Sequence, residues 1–140
     1  MSSKQSIRQG VKKVERGALY LAGLEGRVVA VIPADGRKFT YDEWKTAVGG
    51  YVETMIPQVR GRQVYVNEEG ALKQLPPNKN TWLFANESIY RLNGYSHNWR
   101  VAGNALEVFK VEPGEALVPD KDRVTVRQAI RDAARQAVRP

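Results

Sequence analysis

Two hydrophobic rhythms alternate along the chain. Between positions 27 and 112 the apolar residues come in short β-branched runs broken by glycine and proline, whereas both flanks space them three and four apart, as helices do. The run Val28, Val29, Ala30, Val31 and Ile32 is closed by Pro33 and a turn at Ala34, Asp35 and Gly36, which predicts a buried strand. Thr40, Tyr41, Asp42 and Glu43 spell a capping box, so a short helix should follow, with Tyr41, Trp44 and Val48 on one face and Gly49 and Gly50 as its stop. Strands are predicted over 51–56 and 62–66, joined by a hairpin-length connection after Pro57. Gly70 suits the turn that follows, and Pro76 and Pro77 bar a central strand near them. Positions 82–92 read either as strand or as a helical turn, 93–98 as a loop, and 100–111 as a last strand or strand pair around Gly103 and Asn104.

These elements predict an α+β fold, a small and mainly antiparallel sheet with one short packed helix, plus terminal basic helices. The expected divisions are a basic N-terminal arm or helix over 1–26, a core domain over 27–112, a linker over 113–124 and an arginine-rich helix over 125–140. A chain of 140 residues suffices for one core of this kind, and 42% hydrophobic with 26% charged residues lies in the globular range. The apolar run 17–24 behind the first basic residues is too short and glycine-broken for an export signal. No stretch approaches the ~20 apolar residues that cross a bilayer, so a soluble, cytoplasmic protein is expected.

The net charge of +7 sharpens the picture because of where it sits. Positions 1–20 carry five basic residues against Glu15, positions 123–140 carry five against Asp132, and the middle is nearly neutral. Lys4, Arg8, Lys12 and Arg16 recur every four residues, and so do Arg123, Arg127, Arg131, Arg135 and Arg139. On a helix each series forms one ridge, and like charges at that spacing oppose an isolated helix by about 0.2–0.5 kcal/mol per pair. Two readings remain open for the ridges: a surface for phosphates or acidic protein groups, or a solvated face. The C-terminal segment is otherwise well built, with Thr125 as N-cap and Val126, Ala129, Ile130, Ala133, Ala137 and Val138 as its apolar stripe. In the N-terminal segment Gly10 and Gly17 weaken a helix, so a basic tail that orders only on binding is the alternative there.

Catalytic parts are thin. The absence of cysteine removes thiolate chemistry and sulfur-ligated zinc, and His97 alone falls short of the imidazoles that common zinc sites use. Ser96 beside His97 is a poor arrangement for nucleophile and base, and the pairs Glu68 with Glu69 and Asp120 with Asp122 read as solvated turns. No glycine-rich phosphate loop is present. Neither catalysis, a metal nor a cofactor is therefore expected. Trp82, Tyr90, Tyr95 and Trp99 could stack on bases or fill the core.

The series Val48-Gly49-Gly50-Tyr51, Val52-Glu53, Val66-Asn67-Glu68-Glu69-Gly70, Leu75-Pro76-Pro77-Asn78 and Val101-Ala102-Gly103-Asn104 resembles the domain of unknown function 3846 family of bacteriophages and conjugative elements, over roughly residues 28–111. The resemblance implies a gene product of a phage or mobile element acting in a bacterial host, and carries no settled activity. It marks Gly49, Gly50, Asn67, Glu68, Gly70, Pro76, Asn78 and Asn104 as motif-loop residues. Their asparagines either fix loop geometry or touch a ligand or partner. The resulting expectation is a non-enzymatic accessory protein that binds and modulates host nucleic-acid machinery, such as RNA polymerase or a defence nuclease. The alternatives are direct, sequence-independent binding of DNA or RNA, and a small-molecule or nucleotide binder.

Overall fold

The computed structural model describes residues 12–54, 61–81 and 101–138. Its frame is a five-stranded antiparallel sheet in the order β2-β1-β5-β4-β3, built from β1 (Val14–Tyr20), β2 (Val28–Val31), β3 (Val52–Thr54), β4 (Arg62–Asn67) and β5 (Ala105–Val111). Among the described residues two helices, α1 (Tyr41–Val48) and α2 (Val126–Val138), pack with the sheet in an α+β fold.

Register assigns the two faces of the sheet. Leu19 opposes Leu106 and Val29, Gly17 opposes Val108 and Val31, and Tyr65 opposes Leu106, so these positions share one face. Both helices pack there, their Trp44, Ala47, Val48, Val126, Ala129, Ile130 and Ala133 closing on Leu19, Val31, Phe39, Leu106 and Val108. Burying each large side chain in this layer contributes about 1.5–3 kcal/mol. Arg16, Ala18, Tyr20, Val64, Val66, Ala105, Glu107 and Phe109 occupy the opposite face by the same alternation. Glu107 is buried in its middle, accepting from the Tyr20 hydroxyl at 2.9 Å and from Arg62 at 3.1 Å.

Helix α1 follows its local signals. Thr40 accepts from the Glu43 N–H, Glu43 returns the bond to the Thr40 N–H, and Gly49 caps the other end in the left-handed region at φ 78°. In α2 the Thr125 hydroxyl accepts from the Gln128 N–H at 3.2 Å.

Three expectations are corrected. Residues 14–20 are the second strand of the sheet, not part of a basic arm or helix, and β1 is hydrogen-bonded on both sides. Gly17, which costs a helix stability, is what lets this strand sit where it does: a Cβ there would lie 3.0 Å from the Glu107 carbonyl oxygen and 3.2 Å from the Phe39 ring. The run 28–32 was expected to be a buried strand, yet β2 lies toward an edge of the sheet with Val28 46% exposed. Among the described residues Val124 alone adds to its outer side, in parallel, through the Ile32 N–H to the Val124 carbonyl at 2.9 Å and the Val124 N–H to the Ala30 carbonyl at 3.2 Å. The segment expected as a linker therefore crosses the edge of the sheet as a strap, largely exposed but tied down at Asp120, Arg123 and Val124, with a turn of 3-10 helix at Asp120–Asp122, and delivers α2 to the helical face. Lys4, Arg8, His97, Arg139, the four aromatics from Trp82 to Trp99 and the ambiguous 82–92 stretch lie outside the described residues.

Candidate interaction surface

The basic residues separate into two classes according to what surrounds them. Arg16 and Arg123, both expected on partner-binding ridges, are buried and engaged within the chain. Arg16 is 6% exposed and holds Asp120 with two parallel bonds of 2.9 Å, while its remaining donors reach the carbonyls of Glu15 and Gly36. A fork-to-fork guanidinium–carboxylate pair of this kind fixes geometry as well as charge. Arg123 donates to the carbonyls of Gly17 at 3.0 Å, Val31 at 3.1 Å and Val118 at 3.2 Å, and its guanidinium lies 5.8 Å from the centre of the Phe109 ring. Burial lowers its pKa from the usual arginine value, the neighbouring Arg16 charge adds to that, and Asp120 opposes it. These two arginines tie the strap to the sheet.

That latch has a pH signature. The bonds from Arg16 hold the Asp120 carboxyl below its ordinary value; burial opposes them, and the charges of Arg16 and Arg123 add to the lowering. A carboxylate with a depressed folded pKa contributes stability above its unfolded pKa and loses that contribution as pH falls through the folded value. Stability should therefore drop as pH goes below about 4, the ordinary Asp range, and Asp120→Asn should flatten that part of the acid limb in urea unfolding midpoints. The Asp120 side chain is half exposed, so its share is at most ~1 kcal/mol.

Arg127, Arg131 and Arg135 form the second class. All three are exposed, one turn apart on α2, on the side away from Val126, Ala129, Ile130 and Ala133. Arg135 meets Asp132 at 3.5 Å, an exposed pair worth little, and among the described residues Arg127 and Arg131 have no ion-pair partner. Lys12 is exposed ahead of β1 and belongs to no helix.

Beside this ridge a cleft of about 360 Å³ separates the first turns of α1 and α2, lined by Asp35, Thr40, Asp42, Glu43, Thr46 and Arg127 among others. Glu43 is committed to the Thr40 and Ala34 N–H groups. Asp35 accepts from the N–H groups of Lys38 and Arg37, and these bonds hold its carboxyl below the usual range. The helical layer therefore exposes a positive ridge and a negative rim side by side.

The motif-loop residues converge at one end of the sheet, and their bonds are those of scaffolding. Asn67 donates to the Val48 carbonyl at 3.0 Å and accepts from the Glu69 N–H, with Gly50 lying against its amide. Gly49 ends α1, the Glu68 N–H reaches the Tyr51 carbonyl while its side chain is exposed, and a Cβ on Gly70 would strike the Ala102 carbonyl oxygen. The Pro76 carbonyl accepts from the Gly103 N–H at 2.8 Å. Asn78 is buried and bridges the Tyr20 and Gly103 carbonyls, and Asn104 joins the Ala22 N–H to the Ala47 carbonyl. Asn80 does as much and was not singled out: it accepts from Gly26 and donates toward the carbonyls of Leu21, Leu24 and Arg27, organising the β1–β2 loop. Its one sequence signal is position, two residues after Asn78 in a proline-flanked turn. Of the two roles open to these asparagines, backbone organisation is the one their bonds perform.

Among the described residues no helix is long and apolar enough to cross a membrane. Compared with known proteins, the chain matches no family model, no curated protein and no solved structure.

Proposed function

We propose that this protein acts by binding rather than by catalysis, presenting the Arg127, Arg131 and Arg135 ridge of α2 to an acidic surface of a protein assembly that handles nucleic acid. The observation that carries the reading is that Arg127 and Arg131 are held outward on a helix whose other side is buried, with no carboxylate of the described chain paired to them. Three exposed like charges one turn apart work against the helix, and an anionic partner would reverse that sign. In the cytoplasm of a bacterial host, the setting that the resemblance over residues 28–111 implies, RNA polymerase and a defence nuclease are the first assemblies to screen.

Nucleic acid itself is the second reading, and the charge around the ridge weighs against it. Asp35 and Asp42 on the neighbouring rim and Asp132 within α2 are exposed or half exposed, and would face a polyphosphate with repulsion. A protein surface can match both signs.

Affinity purification from host lysate, run with and without nuclease, tests the proposal when the wild-type chain is compared with an Arg127→Glu, Arg131→Glu, Arg135→Glu variant. The expected result is a nucleic-acid-handling assembly retained by the wild type in both conditions and lost by the variant. Capture abolished by nuclease would transfer the ridge to nucleic acid. In that event log affinity for duplex DNA should fall with log salt by about 0.9 per phosphate contacted.

A further inference from the structure

We infer that the helical face pairs with the same face of a second copy of this chain, the arginine ridge of one copy lying over the acidic rim of the other. The inference needs no external partner and does not rest on the proposed function; the two engagements share the ridge and exclude each other.

It rests on how charge is arranged across one surface. Arg127 lines the cleft between α1 and α2 from one side, with Arg131 one turn further along α2, and Asp42 and Asp35 line it from the other, all exposed. Asp42 and Arg127 line the same cleft, yet no ion pair joins them among the described residues. A face carrying plus on one side and minus on the other is self-complementary. A two-fold axis lying in the plane of the face sets each ridge over the opposite rim, the isologous arrangement that most homodimers use. The cleft adds shape to charge, because a volume of about 360 Å³ can receive an arginine side chain from the facing ridge between Asp35 and Asp42.

Net charge works the other way. Two chains of +7 repel each other over long distances, whereas the ridge-to-rim contacts are short. Salt separates the two effects. At about 0.1 M the Debye length is about 10 Å, which screens the spread charge while contact pairs persist, and toward 1 M, at about 3 Å, the contacts weaken as well. Association should therefore be strongest at intermediate salt and fall off on either side.

Sedimentation velocity of the full chain over a concentration series tests this. The wild type should move toward twice its monomer mass at about 0.1 M salt and return to monomer near 1 M. Arg127→Glu with Arg131→Glu should weaken self-association at least tenfold, as should Asp42→Lys, and an equimolar mixture of the two reversed chains should form a heterodimer. The neutral changes Arg131→Gln and Asp42→Asn, which disturb folding least, should each weaken association in the same direction. A wild type monomeric at every salt concentration overturns the inference. So does association that survives in either reversed chain alone, or a mixture of folded reversed chains that stays monomeric.

Discussion

Arg123→Ala is expected to destabilise the fold by about 3 kcal/mol, whereas Arg127→Ala, four residues on, should change stability by no more than about 0.5 kcal/mol. The difference lies in what each guanidinium leaves behind. Removing Arg123 deletes the charged bonds to the carbonyls of Gly17, Val31 and Val118, vacates one face of Phe109, and frees the strap where it crosses the edge of the sheet. A charged hydrogen bond is worth about 1.5–3 kcal/mol, and the lost attachment of the strap adds to the loss. Arg123→Lys should recover only part of it, because a single ammonium cannot reproduce a planar fork that reaches two carbonyls through one nitrogen and a third through another. Arg127 is exposed and unpaired among the described residues, so its truncation strands nothing there. Urea midpoints for the three variants decide the matter. Equal losses for Arg123→Ala and Arg127→Ala would dissolve the distinction between internal and outward arginines, and with it the basis for treating Arg127, Arg131 and Arg135 as a surface for something else.

That distinction is also where sequence reading stopped. Arginine recurs every four residues at Arg123, Arg127, Arg131 and Arg135, but Arg123 precedes Thr125, the cap of α2, so helical spacing says nothing about its direction. Arg16 finds its carboxylate at Asp120, 104 positions away, and no local pattern announces a pairing at that separation. β1 was hidden for a related reason. A strand bonded on both sides and covered on both faces need not alternate polar with apolar, and Arg16 happens to keep the four-residue spacing of basic residues begun upstream. What was legible was short-range: the Thr40–Glu43 box that starts α1, the glycine that ends it, Thr125 ahead of α2, and the partner strands β3 and β4. The apolar run at 28–32 shows the limit of composition, since β-branched residues predict a strand without saying whether it lies at the centre or toward the edge of the sheet. The motif-loop positions were readable as a set, while the role of each asparagine depended on which distant carbonyl it faces.

Among the motif-loop asparagines Asn78→Ala should be the most damaging change, at about 3 kcal/mol, and Asn78→Asp should cost nearly as much despite keeping the side chain's size. The Asn78 amide is buried and donates at 2.8 Å to the Tyr20 carbonyl, at the end of β1, and at 2.9 Å to the Gly103 carbonyl, just ahead of β5, while its oxygen accepts from the Asn80 N–H at 3.0 Å. Alanine removes the amide's bonds to both carbonyls and, among the described residues, leaves the Asn80 N–H without its side-chain acceptor. Aspartate keeps the acceptor but sets a carboxylate against two carbonyl oxygens, where repulsion and desolvation act together, so it titrates upward or unfolds the loop. Damage should spread along the chain, because the adjoining Asn80 bonds hold the Leu21, Leu24 and Arg27 carbonyls of the β1–β2 connection. Amide hydrogen exchange offers the sharper readout. Protection should fall at Gly26, Asn80 and Gly103 before it falls in the centre of β5, and the aspartate variant should regain stability as pH is lowered and its carboxyl protonates. Were Asn78→Asp as stable as the wild type at neutral pH, Asn78 could not be holding those carbonyls, and the motif loop would need a purpose other than joining β1 to β5.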